Sequence, residues 1–189
     1  MKKIVLFASG NGTNVERIFN YFKNNPAVEI TAVFTNNPKA GVLKRTARLG
    51  ITSVIFTKND LYHSNKVLTI LSALKPDLIV LAGFLWLIPS SFMQTFKNRI
   101  INIHPALLPK YGGKGMYGHH VHQAVIDHQE KKSGITIHFV NERYDEGQII
   151  FQAETNIDQQ ETPETLASKI HQLEYEHFPR IIEQVLNNL

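Results

Sequence analysis

Four short apolar runs alternate with segments of helical periodicity through the first half of this 189-residue chain. The runs are Lys3 to Ala8, Val28 to Thr35, Thr52 to Phe56 and Leu78 to Ala82. Such runs suit strands buried on both faces, and helices between them return the chain so that the strands pair in parallel. The sequence therefore predicts an α/β fold with a Rossmann-like, largely parallel central sheet and helices on both faces.

Spacing and capping residues place the helices of this first half. Apolar side chains recur at helical spacing from Val15 to Phe22, and a short helix is expected near Lys39 to Leu49. Asp60 is expected to cap a third helix that runs to Leu74, and Pro89 suits the first turn of a fourth, ending at Phe96.

The pattern changes in the second half of the chain. Arg99 to His104 is predicted as a fifth strand, and Pro105 to Gly118 is an irregular stretch that suits a lid or binding loop. The next elements expected are a helix near His119 to Gln129 and two strands of an antiparallel C-terminal part, Ile135 to Val140 and Gln148 to Thr155. Thr162 is expected to cap the terminal helix, which Pro179 should kink or break.

Composition excludes several classes of protein. The absence of cysteine excludes disulfides, thiolate metal sites and a cysteine nucleophile, and it fits a cytoplasmic location. The longest apolar stretch, Leu78 to Ile88, is too short to span a bilayer, so no membrane contact is expected. The formal net charge of +4 comes from scattered basic residues, so nucleic-acid binding is not expected either.

A glycine-containing loop, Gly10 to Asn14, joins the first predicted strand to the first helix. Such a junction favours an anion, because backbone N–H groups and the helix dipole point at it. The dinucleotide fingerprint fails, since Val15 stands at the third glycine position and Asn36 replaces the acidic ribose ligand. Two interpretations stay open: a single phosphate bound there, or a plain turn.

Polar residues near the end of the fifth strand are the main catalytic candidates. Asn102 and His104 share one face of that strand. They either donate hydrogen bonds to a developing oxyanion or are a satisfied polar pair at a strand end. Asp145 lies in a Tyr-Asp-Glu-Gly segment that is either a structural turn or a partner that orients and charges His104.

Two other chemistries find little support. His119, His120 and His122 have the wrong spacing for a metal site and read as a solvated helix start, so no metal is expected. No Gly-x-Ser-x-Gly elbow is present, so direct transfer between two bound substrates is favoured over a covalent acyl-enzyme.

Several of these motifs together resemble one family, the folate-dependent formyltransferases. They are Ile-Asn-Ile-His-Pro-Ala-Leu-Leu-Pro at 101–109, Ser-Gly-Asn-Gly-Thr-Asn at 9–14, Ala-Gly-Phe at 82–84 and Asp-Glu-Gly at 145–147. The resemblance runs essentially end to end. It implies a single formyltransferase domain over 1–189, with residues 1–100 binding a phosphorylated ribonucleotide and residues 101–189 carrying catalysis and folate binding.

The resemblance also implies a reaction. The expected branch transfers the formyl group of 10-formyltetrahydrofolate, the co-substrate, to the amine of glycinamide ribonucleotide in purine synthesis. Both partners are thus small molecules, and the protein is expected to be a monomer or homodimer. Asn102 and protonated His104 are expected to stabilise a tetrahedral oxyanion, while Asp145 sustains the imidazolium and helps a water carry the proton to the leaving N10.

The binding residues follow from the same resemblance. Gly12, Thr13 and Asn14 are expected to hold the phosphate, and Glu174 to contact the ribonucleotide. The folate is expected to touch Asn102 and to lie in a slot formed by Trp86, Leu87, Ile88, Val140, Asn141 and Glu142. His138 matches a family histidine near the site. Trp86 stands where family members often carry Arg, and the loop at 111–118 is longer than the common form and is expected to be a mobile lid.

Other functions share part of this pattern. A formyltetrahydrofolate hydrolase uses the same signature with water as the acceptor, but normally carries an N-terminal regulatory domain. Amino-sugar and initiator-tRNA formyltransferases carry additional C-terminal domains. A nucleotide-binding module or NAD oxidoreductase would share the sheet and the glycine loop, and tight NAD binding would favour it.

Overall fold

The computed structural model describes all residues, Met1 to Leu189, and has one seven-stranded sheet in the order β3-β2-β1-β4-β5-β6-β7. The strands are β1 (Lys2–Phe7), β2 (Val28–Thr35), β3 (Ser53–Ile55), β4 (Leu78–Leu81), β5 (Ile100–His104), β6 (Lys132–Phe139) and β7 (Ile149–Asn156). The first five pair in parallel, and β5–β6 and β6–β7 pair antiparallel. The predicted fold class is confirmed.

Seven helices accompany the sheet. They are α1 (Thr13–Phe22), α2 (Val42–Leu49), α3 (Lys58–Tyr62), α4 (Lys66–Leu74), α5 (Ser90–Thr95), α6 (His119–Asp127) and α7 (Pro163–Asn187). No helix is long and apolar enough to cross a membrane.

Alternation along β1 explains why both sheet faces are covered. Ile4 and Leu6 belong to a core cluster that also contains residues of α1, α6 and α7, whereas Val5 and Phe7 belong to a second cluster with residues of α3, α4 and α5. Successive side chains of a strand point to opposite faces, so an entirely apolar strand needs helices on both sides. All four side chains are fully buried.

Two helix predictions were wrong in their details. The helix expected from Asp60 to Leu74 is two helices, because Asn65 adopts a left-handed φ of 54° between them. Thr57 is the N-cap of the first helix, and Asp60 is at the N3 position of the same capping box, where its carboxylate accepts the Thr57 N–H at 2.8 Å. Pro89 is an N-cap and does not lie in the first turn.

The terminal helix passes through Pro179 without a break. Proline removes one backbone hydrogen bond from a helix interior, which alone disfavours the helix by roughly 3 kcal/mol. Here Phe178, Ile181 and Ile182 flank the proline and are buried in the core. Tertiary packing of these side chains outweighs the local cost. The start of this helix matches the prediction, with Thr162 as N-cap and Pro163 next to it.

Candidate active site

A cleft of about 690 Å³ opens where β1, β4 and β5 end. Its walls include the segments that follow these strands, among them Ser9, Ala82 and Pro105. In open α/β sheets ligands bind at the carboxyl ends of the strands where the winding direction reverses, here between β1 and β4. The volume lies within the roughly 300–1,000 Å³ typical of small-molecule sites.

The glycine loop forms one end of this cleft. Gly12 is the N-cap of α1 with a left-handed φ of 73°, and a Cβ there would lie 2.3 Å from Val42 Cγ2. No side chain caps α1, so the N–H groups of its first turn are free to bind an anion. Asn11 is held in place by Arg45, whose Nε donates a 2.8 Å hydrogen bond to the Asn11 carbonyl.

Glu174, from α7, lies beside this loop. Asn14 Nδ2 donates a 2.9 Å hydrogen bond to Glu174 Oε2, and both residues line the cleft. Glu174 is only 6% exposed, and its burial raises the pKa of the carboxyl to about 7 although the Asn14 hydrogen bond opposes the shift. The loop and Glu174, both identified as candidates, are thus brought together.

Asn102, His138 and Asp145 form a connected group at the other side of the cleft. Asn102 lies opposite His138 in the β5–β6 pairing, and Asp145 follows β6 in the turn to β7. His138 Nδ1 lies 2.8 Å from the Phe139 carbonyl, which can only accept, so Nε2 accepts the Asn102 N–H at 3.1 Å. The second Asn102 N–H faces Asp145 Oδ1 at the longer distance of 3.5 Å. A bound substrate oxygen could replace this weaker contact.

His104 is held between two acceptors. Its Nε2 lies 2.7 Å from the Tyr111 carbonyl, and its Nδ1 lies 3.5 Å from Asp145 Oδ2. Burial lowers the pKa of His104 below its usual value, and it outweighs the nearby Asp145 carboxylate and the Tyr111 carbonyl, which act in the opposite direction. A lowered pKa favours the neutral imidazole, so burial opposes the protonated His104 that the family resemblance implies.

Asp145 stays ionised in the same surroundings. Burial favours its neutral form, but the neighbouring imidazoles of His138 and His104 and the hydrogen bond from the Gly113 N–H together lower its pKa. The Gly113 N–H lies 2.9 Å from Asp145 Oδ2. Asp145 has a left-handed φ of 57°, a conformation that non-glycine residues adopt at a cost. The surrounding contacts hold the carboxylate toward the two polar residues of β5.

The six residues expected to form the folate slot are not among those that line the cleft. Trp86 packs edge-on against Phe56, with ring centroids 6.0 Å apart, and the Lys58 ammonium lies 5.6 Å from its ring. Ile88 is buried in the core, and Val140 packs against the same apolar cluster as Trp86. The neighbouring Phe84 and Leu85 line the cleft instead.

The contacts of three other residues of the site were not predicted from the sequence. Tyr111 and Gly113 contact His104 and Asp145 through backbone atoms, which no side-chain pattern encodes. His122 is 3% exposed and lines the cleft, unlike the exposed His119 and His120, so the expected solvated helix start is wrong for this histidine. Its position next to the apolar Val121 and three before Val125 on α6 was the available signal for burial. No group of three His, Asp or Glu is arranged to hold a metal ion.

Comparison with known sequences agrees with this geometry. The formyl transferase family profile matches residues 2–182. The chain is 36% identical over 191 residues to phosphoribosylglycinamide formyltransferase of Bacillus subtilis, covering 98% of this chain and 95% of that one. It is also 36% identical over 187 residues to the chloroplastic enzyme of Arabidopsis thaliana, covering 96% of this chain and 64% of the relative. It spans 60% of a second chloroplastic relative, from Vigna unguiculata.

Solved structures show the same fold. Phosphoribosylglycinamide formyltransferase from Anaplasma phagocytophilum superposes with a TM-score of 0.89 at 29% identity, covering 98% of this chain and 87% of that one. Glycinamide ribonucleotide transformylase 1 from Symbiobacterium toebii gives a TM-score of 0.90 at 28% identity, covering 100% and 89%.

Proposed function

The chain belongs to the formyl transferase family, and from this membership we propose that it transfers the formyl group of 10-formyltetrahydrofolate to the amine of glycinamide ribonucleotide in purine synthesis. One observation carries the proposal. Asn102 Nδ2 and His104 Nδ1 each lie 3.5 Å from a carboxylate oxygen of Asp145, and these residues line the same cleft as the uncapped start of α1. One end of the cleft suits a phosphate and the other suits transfer of an acyl group.

The ribonucleotide phosphate binds at Gly12, Thr13 and Asn14. The free N–H groups of the first turn of α1 point to that position, and the helix dipole adds to the attraction. Glu174 lies beside Asn14 and contacts the ribose part of the same ligand, since a carboxyl can exchange hydrogen bonds with hydroxyl groups. The amine of the ligand then extends toward His104.

Asn102 and His104 assist the chemical step. As the amine nitrogen bonds to the formyl carbon, negative charge develops on the formyl oxygen, and Asn102 donates to it the N–H that otherwise makes the 3.5 Å contact with Asp145. The neutral His104 accepts the proton that the amine loses, at Nδ1, the nitrogen on the Asp145 side.

The proton then passes from His104 to the leaving group. While His104 holds the proton, the imidazolium is stabilised by the Asp145 carboxylate and by the negative charge on the formyl oxygen. As the bond between the formyl carbon and N10 breaks, a water beside Asp145 carries the proton from His104 to N10. The products are the formylated amide and tetrahydrofolate, so atoms and charge balance. His138 keeps the Asn102 amide oriented by accepting its other N–H.

The folate enters beside Asn102 and lies against the segments 86–88 and 140–142. Trp86 and Val140 pack against one apolar cluster, which brings these two segments to the same side of the sheet. Leu85, 43% exposed, adds an apolar surface that a flat pterin ring could cover. The segment from Gly113 to Gly118, which lines the cleft, acts as the lid.

We further propose a cytoplasmic location and a monomeric or homodimeric state, with no nucleic-acid or membrane partner. The lack of cysteine is compatible with a reducing compartment. Cell fractionation tests the location, and light scattering of the purified protein tests the oligomeric state.

The first experiment measures release of deformylated folate by absorbance, with and without glycinamide ribonucleotide. Release only with the ribonucleotide, together with a formylated product in the mass spectrum, is the expected result. Release without it would contradict the proposal and indicate a hydrolase. No release under either condition would also contradict it and favour a binding module, which a titration with NAD would then examine.

A further inference from the structure

We propose that Tyr111, braced by Glu130, is a positioning residue that keeps the hydrogen of neutral His104 on Nε2 and leaves Nδ1 free for the substrate. The proposal rests on the proposed function for its catalytic meaning. Its structural part, the location of one hydrogen, can be tested without any substrate.

The distances around His104 decide where that hydrogen lies. A neutral imidazole has one N–H and two potential acceptors nearby, the Tyr111 carbonyl at 2.7 Å from Nε2 and Asp145 Oδ2 at 3.5 Å from Nδ1. Hydrogen bonds weaken strongly beyond about 3.2 Å, so the hydrogen belongs on Nε2. The lone pair of Nδ1 then faces the side from which a proton must be accepted.

The side chain of Tyr111 determines where its carbonyl points. Tyr111 has a left-handed φ of 58°, and its hydroxyl donates a 3.0 Å hydrogen bond to Glu130 Oε1. Lys110 Nζ donates to the same oxygen at 2.8 Å, and the Tyr111 ring packs against His128 with centroids 5.6 Å apart. Glu130 is therefore the shared anchor of this bend, although it does not line the cleft.

The same short segment also holds the partner of His104. Two residues after Tyr111, the Gly113 N–H donates to Asp145 Oδ2 at 2.9 Å. A shift of this segment changes both contacts at once, because no regular element separates them. The charged and titratable groups facing His104 are Asp145 from the β6–β7 turn, His138 from β6 and His122 from α6. A substitution at Glu130 leaves the chemical identity of these three groups unchanged.

The test uses the full chain labelled with ¹⁵N on histidine, in the wild type and in Glu130→Ala, Glu130→Gln and Tyr111→Phe. His104→Asn assigns the His104 ring signals. We expect the Nε2–H form in the wild type, and a shift of the ratio of the two tautomers toward Nδ1–H by about 3- to 10-fold in Glu130→Ala and Tyr111→Phe. Glu130→Gln keeps an acceptor for the tyrosine hydroxyl and should retain the wild-type ratio. Glu154→Ala, which removes an exposed 2.8 Å contact with Lys132, is the matched control.

A second measurement links the tautomer to catalysis. Loss of the Tyr111 acceptor lowers the pKa of His104, so the acid limb of the kcat profile should move by about half a unit to one unit to lower pH in Glu130→Ala but not in Glu130→Gln.

A wild-type Nδ1–H form, or a Glu130→Ala protein with unchanged tautomer ratio, would overturn the proposal. A changed ratio with an unchanged acid limb would overturn its catalytic part. If formyl transfer itself is absent while the tautomer shifts as expected, the proposed function fails and the structural assignment stands.

Discussion

Asn14 and Glu174 lie 160 positions apart in the chain, yet Asn14 Nδ2 donates a 2.9 Å hydrogen bond to Glu174 Oε2. The contact joins the start of α1 to the middle of α7 across one end of the cleft. It places an amide donor and a buried carboxyl where the phosphate and ribose of a ribonucleotide are proposed to bind. A substitution at each of the two residues should therefore have its own measurable effect.

Replacing Asn14 by Ala should raise KM for glycinamide ribonucleotide by about tenfold or more, because a hydrogen bond to a charged group contributes roughly 1.5–3 kcal/mol. KM for the folate should stay within about twofold, since Asn14 lies at the phosphate end. Steady-state kinetics with each substrate varied in turn measures both. Asn20→Ala, at an exposed position of the same helix, is the control. An equal rise of both KM values would misplace the phosphate site.

Glu174→Gln should stabilise the protein at high pH and not at low pH. The folded-state pKa of about 7 is raised above the ordinary 4.5, so the wild type loses stability as the pH rises from 4.5 through 7. The full loss amounts to at most about 3 kcal/mol and is absent in the glutamine variant. Thermal unfolding at pH 5 and pH 8 measures the difference. Glu176→Gln, exposed on the same helix, should show no such pH dependence, and an equal response of the two variants would argue against the buried carboxyl.

Asn102→Ala and His104→Ala should each lower kcat by about 10²- to 10³-fold, because Asn102 donates a hydrogen bond to the developing oxyanion and His104 accepts the proton that the amine loses. Single-turnover kinetics measures the chemical step directly, and circular dichroism verifies that each variant is folded. Turnover near the wild-type rate in both variants would rule out the proposed chemistry.

Asp145→Asn should bind folate normally but lose most of its rate, because the variant no longer stabilises the imidazolium of His104. The Asp145 carboxylate raises the pKa of His104, so its removal should also move the acid limb of the rate profile to lower pH. Folate titration and the pH dependence of kcat test the two parts. An unchanged pH profile would remove Asp145 from this role.

Gly12→Ala should destabilise the protein by about 2 kcal/mol or more, since alanine disfavours a left-handed φ and its Cβ would lie 2.3 Å from Val42 Cγ2. Gly10→Ala is the matched control two residues away, where a Cβ meets no atom within 4 Å. Its unfolding free energy should change by less than about 1 kcal/mol. Urea denaturation compares the variants, and equal losses would contradict the steric account.

Much of the fold could be predicted because it depends on short-range patterns. The apolar runs located all seven strands, and period-two alternation placed Asn102 and His104 on one face of β5. Thr162 and Pro163 marked the start of α7, where the capping preference acts within four residues. The sequence also predicted several site residues, partly through resemblance to a family. They are the glycine loop, Glu174 and the three catalytic candidates.

The details that the sequence did not supply depend on packing between distant segments. Pro179 was expected to kink or break the terminal helix, and α7 continues past it because buried neighbours compensate for a lost hydrogen bond. The folate slot stays a prediction, and its six residues lie outside the cleft lining.

The sequence by itself determined the order of strands and helices along the chain, because periodicity, capping and turn preferences act over a few neighbouring positions. Its motifs also supplied the candidate residues, several of them only through resemblance to a family. Only the tertiary structure decided that burial lowers the pKa of His104, that Tyr111 presents a carbonyl to it and that burial raises the pKa of Glu174 to about 7. These properties depend on burial and on atoms contributed by segments far apart in the chain. Desolvation and hydrogen-bond geometry arise only when the packed elements bring those atoms together.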